Sequence, residues 1–152
     1  MKSILFLGGG KLGLPAIKWA KKIGFNIIVN DVNMGAHGVK LADVVISYDS
    51  TDVRNISTWA LKNNIHYNIK YCYCSSDFGL VTAVIVHDVL QIVHPPVSAI
   101  MSSLDKGLMK NCWEGHENIF TPKSIKIRSE TELIDACDKS SFPLVLKPLD
   151  SS

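Results

Sequence analysis

SILFLGGGKLGLPAIKWAKKIGFNIIVND, residues 3–31, decides the architecture. Ser3–Leu7 is a short apolar run that meets Gly8-Gly9-Gly10 and then Lys11-Leu12-Gly13. Strand, tight turn and helix follow from that order. Pro15 falls in the first helical turn, where its missing N–H costs little. Leu12, Ala16, Ala20 and Ile23 recur at helical spacing, and Gly24 is placed to close the helix. Asn26–Asp31 is a second apolar run ending on an acid. Further out, Val44–Ser47 reads as a third strand. Asp52 caps a helix through Asn63, with Ile56, Trp59 and Ala60 facing inward. Ile69–Tyr73 reads as a fourth strand. The run SSDFGLVTAVIVHDVLQI (75–92) is too long for a strand, so it is expected to be a mostly buried helix capped by Ser76 or Asp77. The order β-α-β-β-α-β-α implies an α/β fold with a parallel, Rossmann-like sheet and right-handed crossovers.

His94-Pro95-Pro96 then breaks the pattern, which sets domains at 1–94 and 95–152. The second has a helix over about Leu104–Trp113 and an alternating strand, KSIKIR (123–128). Ser129-Glu130-Thr131-Glu132 is a capping box opening a helix to about Lys139. FPLVLKP (142–148) reads as a strand that delivers Lys147 between two prolines. Two helices and two strands are few for an independent core. This half is therefore expected to be unfinished.

The 152 residues are 47% hydrophobic and carry a net charge of +2, with acids and bases interspersed. That is enough for a real core and gives no electrostatic footprint for nucleic acid. Lys18, Lys21 and Lys22 read as a solvated helix face. Cys72, Cys74, Cys112 and Cys137 lack zinc spacing and read as buried free thiols in a reducing compartment. The five histidines form no metal or nucleophile–base spacing, and His87 reads as a satisfied core or interface histidine. Trp19 and Trp59 read as packing or interface residues. The apolar N-terminus is too short for a signal peptide, and 80–93 is too short and polar to span a membrane. A cytoplasmic protein is expected, with no nucleic-acid or membrane partner.

Gly8-x-Gly10-x-x-Gly13 follows a strand, opens a helix and is answered by Asp31 at the end of the next strand. Two readings stand level. In one, the glycines bring backbone N–H groups to a dinucleotide pyrophosphate and Asp31 holds a ribose hydroxyl, an NAD(P)-binding module. In the other, the glycines permit a tight turn and close packing, and Asp31 caps the following loop. Lys11 adds a mobile cation that suits a small anionic substrate equally well.

The second half resembles the opening of an ATP-grasp domain. The resemblance is carried by Leu104-Asp105-Lys106 with Met109-Lys110, by Phe120-Thr121-Pro122-Lys123-Ser124, by Ser129-Glu130-Thr131-Glu132-Leu133 and by Phe142-Pro143-Leu144-Val145-Leu146-Lys147-Pro148. The first half is similar to the pre-ATP-grasp domain of biotin carboxylase, the large chain of carbamoyl-phosphate synthase and the PurK and PurT type enzymes. Its matching residues are 8–31, Ala42-Asp43, Ser50-Thr51-Asp52 and Ser75-Ser76-Asp77-Phe78-Gly79. The segment NCWEGHENIFTP departs from the family in lacking the usual glycine before the turn.

The resemblance implies a Rossmann-like domain followed by a partial α+β ATP-grasp subdomain, the N-terminal fragment, inactive alone, of an ATP-dependent ligase of the carboxylate–amine or carboxylase type that works through an acyl phosphate. It implies that Lys106 and Lys147 contact ATP phosphates. It implies further that Gly8, Gly9, Gly10, Lys11, Leu12, Gly13, Asp31, Ser76 and Asp77 border a carboxylate or bicarbonate substrate. ATP and Mg²⁺ would serve the whole enzyme, the Mg²⁺ ligands lying outside this chain, and no residue here is expected to be catalytic. A homodimer contact is a further implication, and a non-catalytic dimerisation domain is the remaining alternative.

Overall fold

The computed structural model describes residues 1–149. The chain divides into two compact units, Met1–Val97 and Ser98–Ser152. In the first, β1 (Ser3–Leu7), α1 (Leu14–Lys22), β2 (Asn26–Asn30), β3 (Val44–Ile46), α2 (Val53–Tyr67), β4 (Ile69–Cys74) and α3 (Leu80–Val89) follow in order. The four strands are parallel and ordered β3-β2-β1-β4. The chain therefore builds outward from β1 to β3 and then returns to lay β4 on the other side of β1. The α/β parallel sheet read from the sequence is the one that forms.

Alternation along the strands divides the core between the two sheet faces. Phe6, Ile27 and Val29 meet Ile17 and Ala20 of α1. Leu5, Leu7, Ile28 and Cys72 meet Ile56 and Ala60 of α2 and Ala83 and Val86 of α3. Of the expected inner stripe of α1, Ala20 is buried and Ala16 packs beside it, but the two ends fall outside. Leu12 lies in the turn before the helix and is 77% exposed, Ile23 is half exposed, and Ile17 is the buried anchor. The periodicity started one turn too early because a glycine, not Leu12, begins the helix. At the other end Gly24 takes φ +89°. Its N–H bonds to Lys21 O and the Phe25 N–H to Ala20 O, both at 3.1 Å, which closes the helix in the expected way.

Lys21 is more than a solvated charge. Its Nζ donates to Leu41 O at 2.6 Å and to Asp43 Oδ1 at 3.1 Å, while Asp43 Oδ2 accepts the Ile27 N–H at 2.8 Å. The Ile27 amide, with Lys21 beside it, holds the Asp43 carboxyl below the usual carboxylate range. Asp52 caps α2 as expected, accepting from the Asn55 N–H at 3.1 Å. The helix runs on to Tyr67 because left-handed Asn68, at φ 49°, ends it. Neither Ser76 nor Asp77 caps α3 by its side chain; a 3₁₀ turn, Asp77–Gly79, leads into the helix instead. Of the four free cysteines only Cys72 is fully buried, and burial pushes its thiol well above the ordinary range.

His87 is a core histidine satisfied on one side. Its Nε2 accepts the Cys72 N–H at 2.9 Å, which takes up a donor of β4, the strand at the end of the sheet order. Its buried Nδ1 has no partner among the described residues. His94 stacks 6.1 Å away and Tyr71 tilts against the ring at 4.5 Å. Burial first, and His94 second, hold His87 below the ordinary value near 6.5. The unfolded chain then binds a proton that the folded one resists, so the stability present above about pH 6.5 is lost as pH falls. The urea midpoint is expected to drop between about pH 7 and about pH 5, before the carboxylates titrate. His87→Gln keeps an acceptor for Cys72 and should flatten that drop. An unchanged slope in the variant would rule His87 out as its source.

The second unit contains α4 (Val97–Leu104), α5 (Lys106–Trp113) and α6 (Glu130–Asp138). Helix α4 was not anticipated; VSAIMSSL carries no charge or cap to mark it. Asp105 stands extended between α4 and α5 and caps α5, accepting from the Gly107 N–H at 2.7 Å and the Leu108 N–H at 3.0 Å. The expected capping box forms in part. Ser129 Oγ accepts from the Glu132 N–H at 3.2 Å, but Glu132 reaches back to the Arg128 N–H at 2.7 Å. The two expected strands do not form ladders among the described residues. Segments 123–128 and 144–147 have no strand partner, and Ile125 and Val145 stay exposed. Alternation can prepare a strand, but only a neighbouring backbone makes one.

Candidate functional site

The carboxyl ends of the four strands carry the residues singled out from the sequence. Because β4 returns beside β1, the chain reverses its winding between them, and a crevice is expected at such a switch point in an open parallel sheet. The loop after β1 and the loop after β4 meet there: a Cβ built on Gly13 would lie 3.2 Å from Ser75 Oγ. Gly8 turns with φ +97° and its N–H bonds to Asn30 O at 2.8 Å. Gly9 donates its N–H to Asp31 Oδ2 at 2.8 Å and accepts at its carbonyl from the Gly38 N–H at 2.7 Å. Gly10, Lys11 and Leu12 form the exposed outer lip.

Asp31 is engaged at both oxygens, since Oδ1 accepts the Asn33 N–H at 2.8 Å. It ties the glycine loop to the loop after β2, which is the loop-capping arrangement of the two readings. A ribose hydroxyl would have to share an already occupied carboxylate.

Beside Asp31 opens a cavity of about 340 Å³. Val32, Ser76 and Phe78 line it, together with Asp49, Ser50 and Thr51. Asp31 and Ser76 thus come together, and the glycine loop adjoins them through the Gly9–Asp31 bond. Asp77, exposed at the start of the 3₁₀ turn, is not among the lining residues. Ser50 and Thr51 were quoted from the sequence, with Asp52, only for their resemblance, and Asp49 was not singled out. A polar DST run at the end of a parallel strand was the signal that could have flagged it. The Thr51 hydroxyl, and then its amide, hold the Asp49 carboxyl below the usual range.

In the second unit, Lys106 is the first residue of α5, and its N–H bonds to Leu149 O at 3.1 Å. The Leu108 amide, with the Gly107 amide, Lys126 and Lys106 adding to it, holds Asp105 below the carboxylate range. Lys147 is exposed in the unpaired segment before Pro148. Among the described residues no three His, Cys, Asp or Glu side chains gather as a metal would require. No helix there is long and apolar enough to cross a membrane.

No family model matches the chain. A formate-dependent phosphoribosylglycinamide formyltransferase of Bacteroides fragilis is 26% identical over 156 residues, covering 100% of this chain and 38% of the relative. Its namesake in Prochlorococcus marinus is 26% identical over 151 residues, covering 99% and 38%. The chain therefore spans well under half the length of these relatives. Among solved structures, an L-amino acid ligase from Bacillus licheniformis superposes with TM-score 0.76 at 15% identity over 99% of this chain and 38% of the ligase. N5-carboxyaminoimidazole synthetase from Staphylococcus aureus, complexed with ADP, gives 0.73 at 16% over 99% and 39%. Phosphoribosylglycinamide synthetase from Anaerococcus prevotii gives 0.70 at 23% over 94% and 36%. By sequence likeness along its whole length and by fold, the chain matches the N-terminal portion of ATP-grasp enzymes.

Proposed function

We propose that this chain serves as the substrate-facing front of an ATP-dependent ligase that activates a carboxylate, or bicarbonate, as an acyl phosphate for attack by an amine. The observation that carries the reading is the 26% identity to a formyltransferase running through 100% of the chain, so that both units are matched together. The crevice at the strand ends supports it. In such a reaction a carboxylate oxygen attacks the terminal phosphorus of ATP and ADP leaves. The amine then attacks the acyl carbon and phosphate leaves. The first step crowds negative charge, and the protein's task is to hold the groups in line and neutralise that charge.

Lys106 and Lys147 are the cations assigned to the phosphates. Lysine suits this as a compact charge on a long stem. At α5 the helix donors of Gly107 and Leu108 are already taken by Asp105. The contribution of Lys106 is therefore its ammonium and not the helix end. The glycine loop, Lys11, Asp31 and Ser76 border the substrate to be activated. Mg²⁺ bound with ATP would shield the phosphates; the described residues supply no cluster of His, Cys, Asp or Glu to hold it.

The test is carboxylate-dependent ADP release by the protein as its source encodes it, with and without amine. Lys147→Ala is expected to slow release about tenfold to a hundredfold, the range for losing one charge-assisted contact in the transition state. No ADP release with any carboxylate would sink the ligase reading. Undiminished release by the variant would remove Lys147 from the phosphate site. Tight nicotinamide-cofactor binding that Asp31→Ala abolishes would restore the dinucleotide reading.

A further inference from the structure

The loop Asp49-Ser50-Thr51 is held from two directions by buried side chains. Asn30, fully buried on β2, bonds both backbone groups of Tyr48: its Nδ2 donates to Tyr48 O at 3.1 Å and its Oδ1 accepts the Tyr48 N–H at 2.9 Å. The amide thus prolongs the β2–β3 pairing past Ile46, where the ladder ends. Thr82, 1% exposed on α3, donates its hydroxyl to Ser50 O at 2.6 Å. Within the loop, Thr51 gives its N–H (2.8 Å) and hydroxyl (2.6 Å) to Asp49 Oδ1, which leaves Oδ2 without a partner among the described residues.

A surface loop needs no such anchoring for its own solvation, because water satisfies its backbone. Two buried polar tethers from separate elements give a wall fixed in place before a ligand arrives, which is what recognition requires. The chemistry of the cavity is one-sided. Two carboxylates and three hydroxyl side chains face it, with Val32 and Phe78, and no Lys, Arg or His lines it. A phosphate or carboxylate set against Asp49 would meet like charge. An ammonium or hydroxyl would find open acceptors.

We propose that Asp49–Thr51 is the specificity-determining wall of this cavity and takes an ammonium- or hydroxyl-bearing part of the substrate, leaving the substrate's acid end to the lip at Lys11. Asn30 and Thr82 are positioning residues for that wall. The inference rests on the reading of the cavity as a substrate site.

Amide NMR titrations of the 152-residue chain with ethanolamine and, separately, with inorganic phosphate test it. Ethanolamine is expected to shift the amides of 49–51 and Ser76. Asp49→Asn, which keeps the turn but loses the charge, should weaken that binding about tenfold. Thr82→Val should weaken it while the chain stays folded and should speed amide exchange at Ser50 and Thr51, with Thr82→Ser restoring both. Phosphate moving 49–51 in place of ethanolamine, or equal ethanolamine binding by Asp49→Asn, overturns the assignment of the wall but leaves the cavity a binding site. If neither probe moves any cavity amide, the substrate-site reading itself falls, and this inference with it.

Discussion

Gly38→Ala is expected to lower the melting temperature by about 10 °C, from a cost of about 3 kcal/mol. A Cβ there would stand 2.5 Å from Ile17 Cδ1, 2.8 Å from Gly9 Cα and 3.0 Å from Gly9 O. Ile17 is fully buried, so its terminal methyl has little room to retreat, and the Gly9 backbone cannot rotate away. Relief has to come from separating the loop after β2 from the glycine loop. That breaks the 2.7 Å bond from the Gly38 N–H to Gly9 O and strains the Gly9–Asp31 contact beside it. Thermal unfolding by circular dichroism measures the cost. A melting temperature unchanged within a degree or so would mean that the two loops are not packed as described.

Asn30→Leu is the second large effect. Leucine fits the volume but leaves the N–H and C=O of Tyr48 facing a fully buried site with no partner. Two such groups cost about 2–4 kcal/mol together. The urea midpoint should fall with its slope unchanged. The Tyr48 amide should also exchange faster than the global loss of stability explains. Ordinary exchange at Tyr48 in a variant of near-parental stability would show that the amide bridge does little.

The sheet was legible because strand signals and turn glycines agree in the first hundred residues. The first three apolar runs each meet a glycine or an acid, at Gly8, Asp31 and Asp43, and Asp52 marked its helix without ambiguity. What failed there was the helix boundary, as at Leu12, since periodicity cannot tell which residue starts a helix. In the second unit 123–128 and 142–148 were read as strands on their alternation, yet pairing is a property of two segments, and among the described residues neither has a partner. The site was half legible. Glycines, Asp31 and Ser76 announce themselves by type and position. Asn30, Thr82 and Gly38 do not, because their work is done through backbone groups of residues 18, 32 and 29 positions away, distances that no local pattern carries.

The bond from the Cys72 N–H to His87 also bears on how the protein would fail. A histidine ring, not a neighbouring strand, occupies that donor on β4. Any strand laid along this side must first evict the ring, so at neutral pH the imidazole acts as a guard against self-association. Protonation removes the acceptor and uncovers the donor in the same event. Acid damage should therefore show itself as clustering of still-structured chains, with light scattering rising before the circular dichroism of the sheet is lost.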